Sequence, residues 1–268
     1  MALKLCLAGA TGWAGSALAR AIATVEDVDL VASVSRSYAG QVLGDILGVP
    51  ALEVPVFADV EEALKSQACD VYFDYTKPEI AKANCLAALD RGSSVVIGTS
   101  GLTEEDFEEL AERAEKRGKG VLAVGNFALT VVLLQRFAEI AARFIPQWEI
   151  IDYASDAKRD APSGTTRELA ARLAKRGASA LSIPLEETQG PIEARGTRLQ
   201  GSQIHSLRLP GYSISAEIIF GMAEQRLSIR HDAGSGAEPY VEGALLAIRK
   251  VGDIRGLKRG LDSVMDLD

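Results

Sequence analysis

A chain of 268 residues, 47% hydrophobic and 25% charged, can bury a sizeable core and is long enough for one large or two modest domains. Its net charge of −8 argues against nucleic-acid binding as the main task, because phosphate contacts need a basic face. The same charge obliges an anionic ligand to find a locally basic pocket. Cys6, Cys69 and Cys85 are odd in number and widely spaced. They offer neither a disulfide framework nor a metal spacing, so we expect no metal site and a reducing, cytoplasmic compartment. The apolar run after Met1 is too short for a signal peptide, and no run nears the roughly 18 residues of a membrane span.

The first half alternates strand and helix. "LKLCLAG" (3–9) is a buried strand stopped by glycine, and 15–25 has helical apolar spacing at Leu18, Ile22 and Val25. A strand at 28–35 precedes a short helix at 59–65 that opens on Asp59 in N-cap position. Strands follow at 69–76, 93–101 and 120–127, separated by helices at 77–92 and 103–118. The first of these helices has Pro near its start and Gly at its end. Such alternation predicts βαβ units and a parallel sheet. The pattern then changes. A long amphipathic helix covers 130–145, the strand "EIIDYA" follows, and 164–177 is helical. Residues 186–201 have loop composition, and 203–209, 212–221 and 225–231 are strands bounded by Gly, Pro or charge. Helix returns at 240–252. The expected fold is α/β: a doubly wound Rossmann-type domain, then an α+β domain whose open mixed sheet has helices on one face.

"GATGWAG" sets Gly9, Gly12 and Gly15 between the first strand and first helix. The first glycine permits a tight turn, the second lets backbone approach a pyrophosphate, and the third lets helix pack on strand. Amides at the helix start then face the anion. Strand, turn and helix in one βαβ unit supply the context this motif needs. At the end of the second strand, where a NAD site carries a carboxylate for the ribose, stand Ser35, Arg36 and Ser37. A guanidinium flanked by hydroxyls suits a 2′-phosphate, which predicts NADPH, with NADH the alternative.

Ligands of such sheets lie beyond the carboxyl ends of the strands. "FDYTKPE", "VIGTSG" and "VGNFAL" are three such ends. Together with the glycine turn, "KRDAPSGT", "GTRLQGSQIHSLRLPG" and "LSIRHDA", they resemble the dihydrodipicolinate reductase (4-hydroxy-tetrahydrodipicolinate reductase) family over essentially the whole chain. The resemblance implies a dinucleotide-binding domain at 1–127 with 240–268, a substrate-binding and oligomerisation domain at 128–239, and a homotetramer. It implies hydride transfer to a small anionic cyclic imine in the lysine and diaminopimelate pathway. Cofactor contacts implied by it are Gly9, Ala10, Thr11, Gly12, Trp13, Ala14, Arg36, Gly98, Thr99, Ser100, Val124, Gly125, Asn126 and Phe127. Lys158 falls on the family's proton-donor lysine, which also binds substrate, and Gly164 and Thr165 on its substrate-carboxylate pair. Chemistry supports these roles independently: reduction of C=N by hydride leaves an atom needing a proton, which a lysine can supply. "SGTT" after a proline can open a helix whose free amides face a carboxylate.

One segment departs from the family pattern. Where the family carries "HHxHK", this chain has "ASDAK", with Ala154, Ser155 and Ala157 at the histidine positions. Candidate replacements for the missing acid are His231, His205, Tyr153 and Asp156, and Arg159, Arg195, Arg198 and Arg208 are candidate carboxylate ligands. The departure leaves two alternatives open: a reductase of the same build acting on another imine or oxo-acid, and a non-catalytic NADP-binding sensor.

Overall fold

The structure, a computed structural model, describes residues 2–267 and divides into two compact units. One unit holds the residues up to Leu129 and those from Ala237 onward; the other is Thr130–Gly236.

The first unit runs β1 (Leu3–Ala8), α1 (Trp13–Ile22), β2 (Val28–Val34), α2 (Leu43–Leu47), β3 (Val56–Phe57), α3 (Val60–Ser66), β4 (Val71–Asp74), α4 (Pro78–Asp90), β5 (Ser94–Ile97), α5 (Glu104–Arg117) and β6 (Gly120–Ala123). The chain then passes through α6 (Leu129–Ala141), β7 (Trp148–Ala154), α7 (Gly164–Ala174), β8 (Thr197–Leu199), β9 (Ser202–Arg208), β10 (Ile214–Met222) and β11 (Gln225–Ala233) of the second unit. It returns to the first with α8 (Val241–Lys250) and β12 (Gly256–Arg259).

Seven strands in the order β12-β6-β5-β4-β1-β2-β3 form a fully parallel sheet, as the alternation predicts. Strand order reverses at β1, which has β2 on one side and β4 on the other. A crevice opens at such a point because the flanking crossovers leave on opposite faces. On one face, Cys6, Ala8, Tyr72, Val95 and Ile97 pack under Leu64 of α3, Leu89 of α4 and Leu110 of α5. Leu5, Leu7 and Phe73 alternate onto the other face and are equally buried. There α1 packs on β1 and on α8. Local chemistry explains the helix boundaries. Asp59 caps α3 through the amide of Glu62 at 2.8 Å, and Thr103 with Asp106 forms a capping box on α5.

The second unit is a mixed five-stranded sheet, β11-β10-β7-β9-β8, in which only the β7–β9 pair is parallel. Its core is one-sided, as expected. Leu134 and Ala138 of α6 and Leu169 and Leu173 of α7 cover Trp148, Ile150, Ile204, Ile218 and Phe220. Polar pairs stand among the alternate residues: Tyr153 of β7 bonds Glu217 of β10 at 2.9 Å, and Arg230 of β11 bonds Asp232 at 2.8 Å. Within 186–201, expected to be loop, the structure places two single 3-10 turns and β8. None of the described helices is long and apolar enough to cross a membrane.

Candidate active site

In the first unit the site grows from the turn after β1. Gly9 has φ +84°, and a Cβ there would lie 2.2 Å from the carbonyl oxygen of Tyr75. A Cβ on Gly15 would lie 2.1 Å from the carbonyl oxygen of Gly9, so only glycine lets α1 approach the strand this closely. Gly12 is the N-cap of α1 and supplies no side-chain cap. The first amides of the helix are therefore without helical partners and lie at the positive end of its dipole. A cavity of about 190 Å³ opens in front of them. Its wall is made by Gly9, Gly12, Trp13, Ala14 and Gly15 on one side and by Tyr75, Thr76, Pro78, Gly98, Thr99 and Ser100 on the other. No charged side chain is in this wall. Backbone amides and hydroxyls over a glycine cradle fit the diphosphate and ribose of a dinucleotide.

Seven of the expected contacts thus share one cavity: Gly9, Gly12, Trp13, Ala14, Gly98, Thr99 and Ser100. Ala10 is fully buried behind the turn. Thr11 Oγ1 lies 3.4 Å from Ser35 Oγ, which links the turn to the end of β2. Arg36 follows in a 3-10 turn, Arg36–Tyr38, exposed and with no side-chain partner among the described residues. Val124, Gly125, Asn126 and Phe127 are not in the cavity wall. Phe127 is buried and packs edge-on against Tyr75, ring centroids 5.7 Å apart. Asn126 Oδ1 accepts from the amide of Ala128 at 2.9 Å and shapes that turn.

The sequence reading missed several wall residues. Tyr75, Thr76 and Pro78 belong to the strand end "FDYTKPE", which the sequence marks as a ligand-facing end without singling out these residues. Tyr240 had no local signal: it comes from the returning segment and meets the Trp13 indole at 5.6 Å, interplanar angle 65°. Asp74 closes β4, is fully buried and accepts from Thr76 and Thr99.

In the second unit, β7 ends at Ala154, and a turn in which the amide of Lys158 donates to the Ser155 carbonyl at 3.0 Å leads away. Lys158 Nζ lies 2.8 Å from Asp160 Oδ1. The ammonium holds the Asp160 carboxyl below the ordinary carboxylate value. Asp160 also lies 4.0 Å from Arg167 in the first turn of α7. That helix opens at Gly164 behind Ser163, whose hydroxyl accepts from the amide of Thr166 at 3.4 Å. The amides of Gly164 and Thr165 precede the first intrahelical bond, and both residues have solvent access.

Asp152 holds this loop from beneath. Fully buried, it accepts from the amide of Ser163 at 2.8 Å, Thr166 Oγ1 at 3.1 Å, Ser206 Oγ at 3.2 Å and Arg208 Nη2 at 2.7 Å. Burial pushes its carboxyl up, and the Arg208 guanidinium with the Ser163 donors outweighs that, so the group ends below its ordinary value. The same Arg208 nitrogen donates to the Asp160 carbonyl at 2.6 Å.

Each candidate replacement for the missing histidines has a hydrogen-bond partner of its own. Burial pushes the His231 imidazole down, and its Nδ1 lies 2.8 Å from Thr130 Oγ1. His205 bonds Glu149 at 2.7 Å. Tyr153 is committed to Glu217, and burial pushes its phenol up. Asp156 is exposed and accepts from Ser155 Oγ at 3.2 Å. Of the four arginines, Arg195 bonds Glu149, Arg198 bonds the Ser179 carbonyl, Arg208 bonds Asp152, and Arg159 is exposed. Ala154 is fully buried and Ala157 exposed; neither side chain can carry a proton.

Comparison with known proteins matches both halves. The family model "Dihydrodipicolinate reductase, N-terminus" matches residues 3–127, and "Dihydrodipicolinate reductase, C-terminus" matches residues 130–266. The 4-hydroxy-tetrahydrodipicolinate reductase of Bacillus thuringiensis (strain Al Hakam) is 35% identical over 264 residues, covering 98% of this chain and 99% of that protein. That of Halalkalibacterium halodurans is 36% identical over 265 residues, covering 98% and 100%. Among solved structures, dipicolinate-bound dihydrodipicolinate reductase from Paenisporosarcina sp. TG-14 superposes with TM-score 0.89 at 31% identity, covering 99% of this chain and 100% of that one. An amine dehydrogenase from Mycobacterium smegmatis, at 16% identity and TM-score 0.68, shares the fold. With both halves matched and relatives above 30% identity along nearly its full length, the chain belongs to the dihydrodipicolinate reductase family, a family of nicotinamide-dependent oxidoreductases.

Proposed function

We propose that the chain reduces 4-hydroxy-tetrahydrodipicolinate, or the cyclic imine formed from it, with NADPH in the pathway to diaminopimelate and lysine. The observation that carries this reading is the pairing, within one chain of this family, of an uncharged glycine cradle with an α7 N-terminus linked to Lys158 through Asp160 and Arg167. In the proposed assignment, residues 1–127 with 240–268 bind the dinucleotide, and residues 128–239 bind substrate and build a homotetramer in the cytoplasm.

A nicotinamide bound in the first unit supplies the hydride. The amides of Trp13, Ala14 and Gly15 hold the diphosphate, Gly98 to Ser100 bound the rest of the slot, and Val124 to Phe127 back it from outside the wall through the Phe127 ring against Tyr75. Arg36, free of internal partners, takes the 2′-phosphate with Ser35 and Thr11 beside it, which favours NADPH over NADH. In the second unit the amides of Gly164 and Thr165 receive a substrate carboxylate. Lys158 gives up a proton to the atom left electron-rich by hydride addition and takes one back from water.

The alanines at 154 and 157 favour a second reading, a reductase of the same build for another cyclic imine or oxo-acid. An assay decides between them: NADPH oxidation is followed with dihydrodipicolinate and with a panel of cyclic imines and oxo-acids. Turnover fastest on dihydrodipicolinate supports the first reading; turnover confined to another panel member replaces it with the second. Binding of NADPH with no turnover anywhere makes the chain a sensor.

A further inference from the structure

The two oxygens of Asp74 serve different parts of the first unit. Oδ2 faces the core and accepts from the Tyr72 hydroxyl at 2.6 Å and Asn84 Nδ2 at 3.4 Å. Oδ1 faces the ligand slot and accepts from Thr99 Oγ1 at 2.6 Å, Thr76 Oγ1 at 2.7 Å and the amide of Thr76 at 3.0 Å. That amide also reaches Thr99 Oγ1 at 2.9 Å, and the Asp74 carbonyl receives the Gly98 amide at 2.9 Å. Both threonines line the slot. A fully buried carboxylate is tolerated only when several donors converge on it, and here five do.

We propose that Asp74 is a positioning residue that gives the slot its polarity. A hydroxyl has one hydrogen. Thr76 and Thr99 each commit theirs to Asp74, so both turn only lone pairs toward a ligand. The opposite wall is the start of α1, where free amides offer only donors. The slot is therefore sided: the α1 wall takes the dinucleotide's diphosphate, and the Thr76–Thr99 wall takes hydrogen-bond donors, the hydroxyls of the nicotinamide-side ribose. A diphosphate shifted toward the threonines would meet lone pairs, so Asp74 fixes the register of the cofactor along the slot. The assignment rests on the dinucleotide reading of this cavity.

The test compares NADPH, which carries both groups, with ADP, which carries the diphosphate and lacks the nicotinamide-side ribose. Dissociation constants are measured calorimetrically on the full chain. Asp74→Ala is expected to weaken NADPH at least tenfold and to leave ADP within about twofold. Asp74→Asn, which keeps an acceptor for the threonines and lets the amide face Tyr72, is expected to recover most of the loss. Tyr72→Phe removes a donor from the core side only and is expected to lower Tm without moving either constant. Where Asp74→Ala does not fold, Thr99→Val against Thr99→Ser gives the same contrast, with only the hydroxyl-bearing variant retaining NADPH affinity. Equal weakening of NADPH and ADP, or no change in either, overturns the assignment while leaving the dinucleotide reading intact. A native protein that binds neither NADPH nor NADH overturns the dinucleotide reading itself.

Discussion

Lys158 supplies the only ammonium between β7 and α7, and no histidine lies in that stretch to share the work. Positioned proton donors contribute about 10²- to 10⁴-fold to rate. Lys158→Ala is therefore expected to lower kcat at least a hundredfold with the best substrate of the panel, and a variant with kcat within threefold of native would remove the lysine from the mechanism. Asp160 pairs with that ammonium at 2.8 Å, so Asp160→Ala is expected to lower kcat less than Lys158→Ala does. Arg36 invites a second substitution. Arg36→Asp places a carboxylate where a 2′-phosphate would sit and where ribose hydroxyls could bond it. The kcat/KM ratio of NADPH to NADH should fall at least tenfold. An unchanged ratio would mean that Arg36 is only a solvated surface group.

At the scale of the element, the loop before α7 is held by donors converging on one buried carboxylate. Removing one partner of a buried ion pair costs about 3–5 kcal/mol because the other charge is stranded. Three further donors remain on Asp152, so Arg208→Met is expected near the lower end, about 3 kcal/mol, read by denaturant titration. Ser163→Ala removes the N-cap acceptor and a neutral hydroxyl donor but strands no charge, and should cost about 1 kcal/mol. Equal costs would mean that Arg208 packs rather than pairs. The strands that the sequence left unread are too short to show a periodicity of their own and take their conformation from a longer neighbour. β3 has two residues and exists through its pairing with β2. β12, "GLKR", has one apolar side chain and gains its strand conformation from β6. β8 is likewise short and mostly exposed. Helices with caps and apolar spacing, such as α3 and α5, were legible because their signals are local. The glycine cradle was legible for the same reason. Tyr240 was not, since only the return of the chain brings it to Trp13.

For the molecule as a whole, acid is the informative stress. The His231 imidazole is kept neutral by burial, so its folded pKa lies below the ordinary value of about 6.5. Its contribution to stability is present above that value and is lost as pH falls through the lower folded one. Asp152 is a depressed carboxylate, so its contribution is present above about 3.9 and is lost as pH falls further. Tm is thus expected to decline in two stages, one below about 6.5 and one below about 4. His231→Gln should flatten the first stage and spare the second; a first stage unchanged in that variant would assign it to other groups. Exposed pairs such as Asp27 with Arg249 are screened by solvent and add little to either stage.

The return of α8 and β12 to the first unit has a consequence for biosynthesis. β12 is the edge strand beside β6, and α8 packs on α1 at the very helix that bears the glycine turn. A ribosome delivers these pieces only after the whole of Thr130–Gly236 has emerged. The second unit is continuous and has all its strands in hand while the first still lacks an edge. Nascent chains should therefore acquire protease resistance in the later-made unit first, with the earlier-made one completed last.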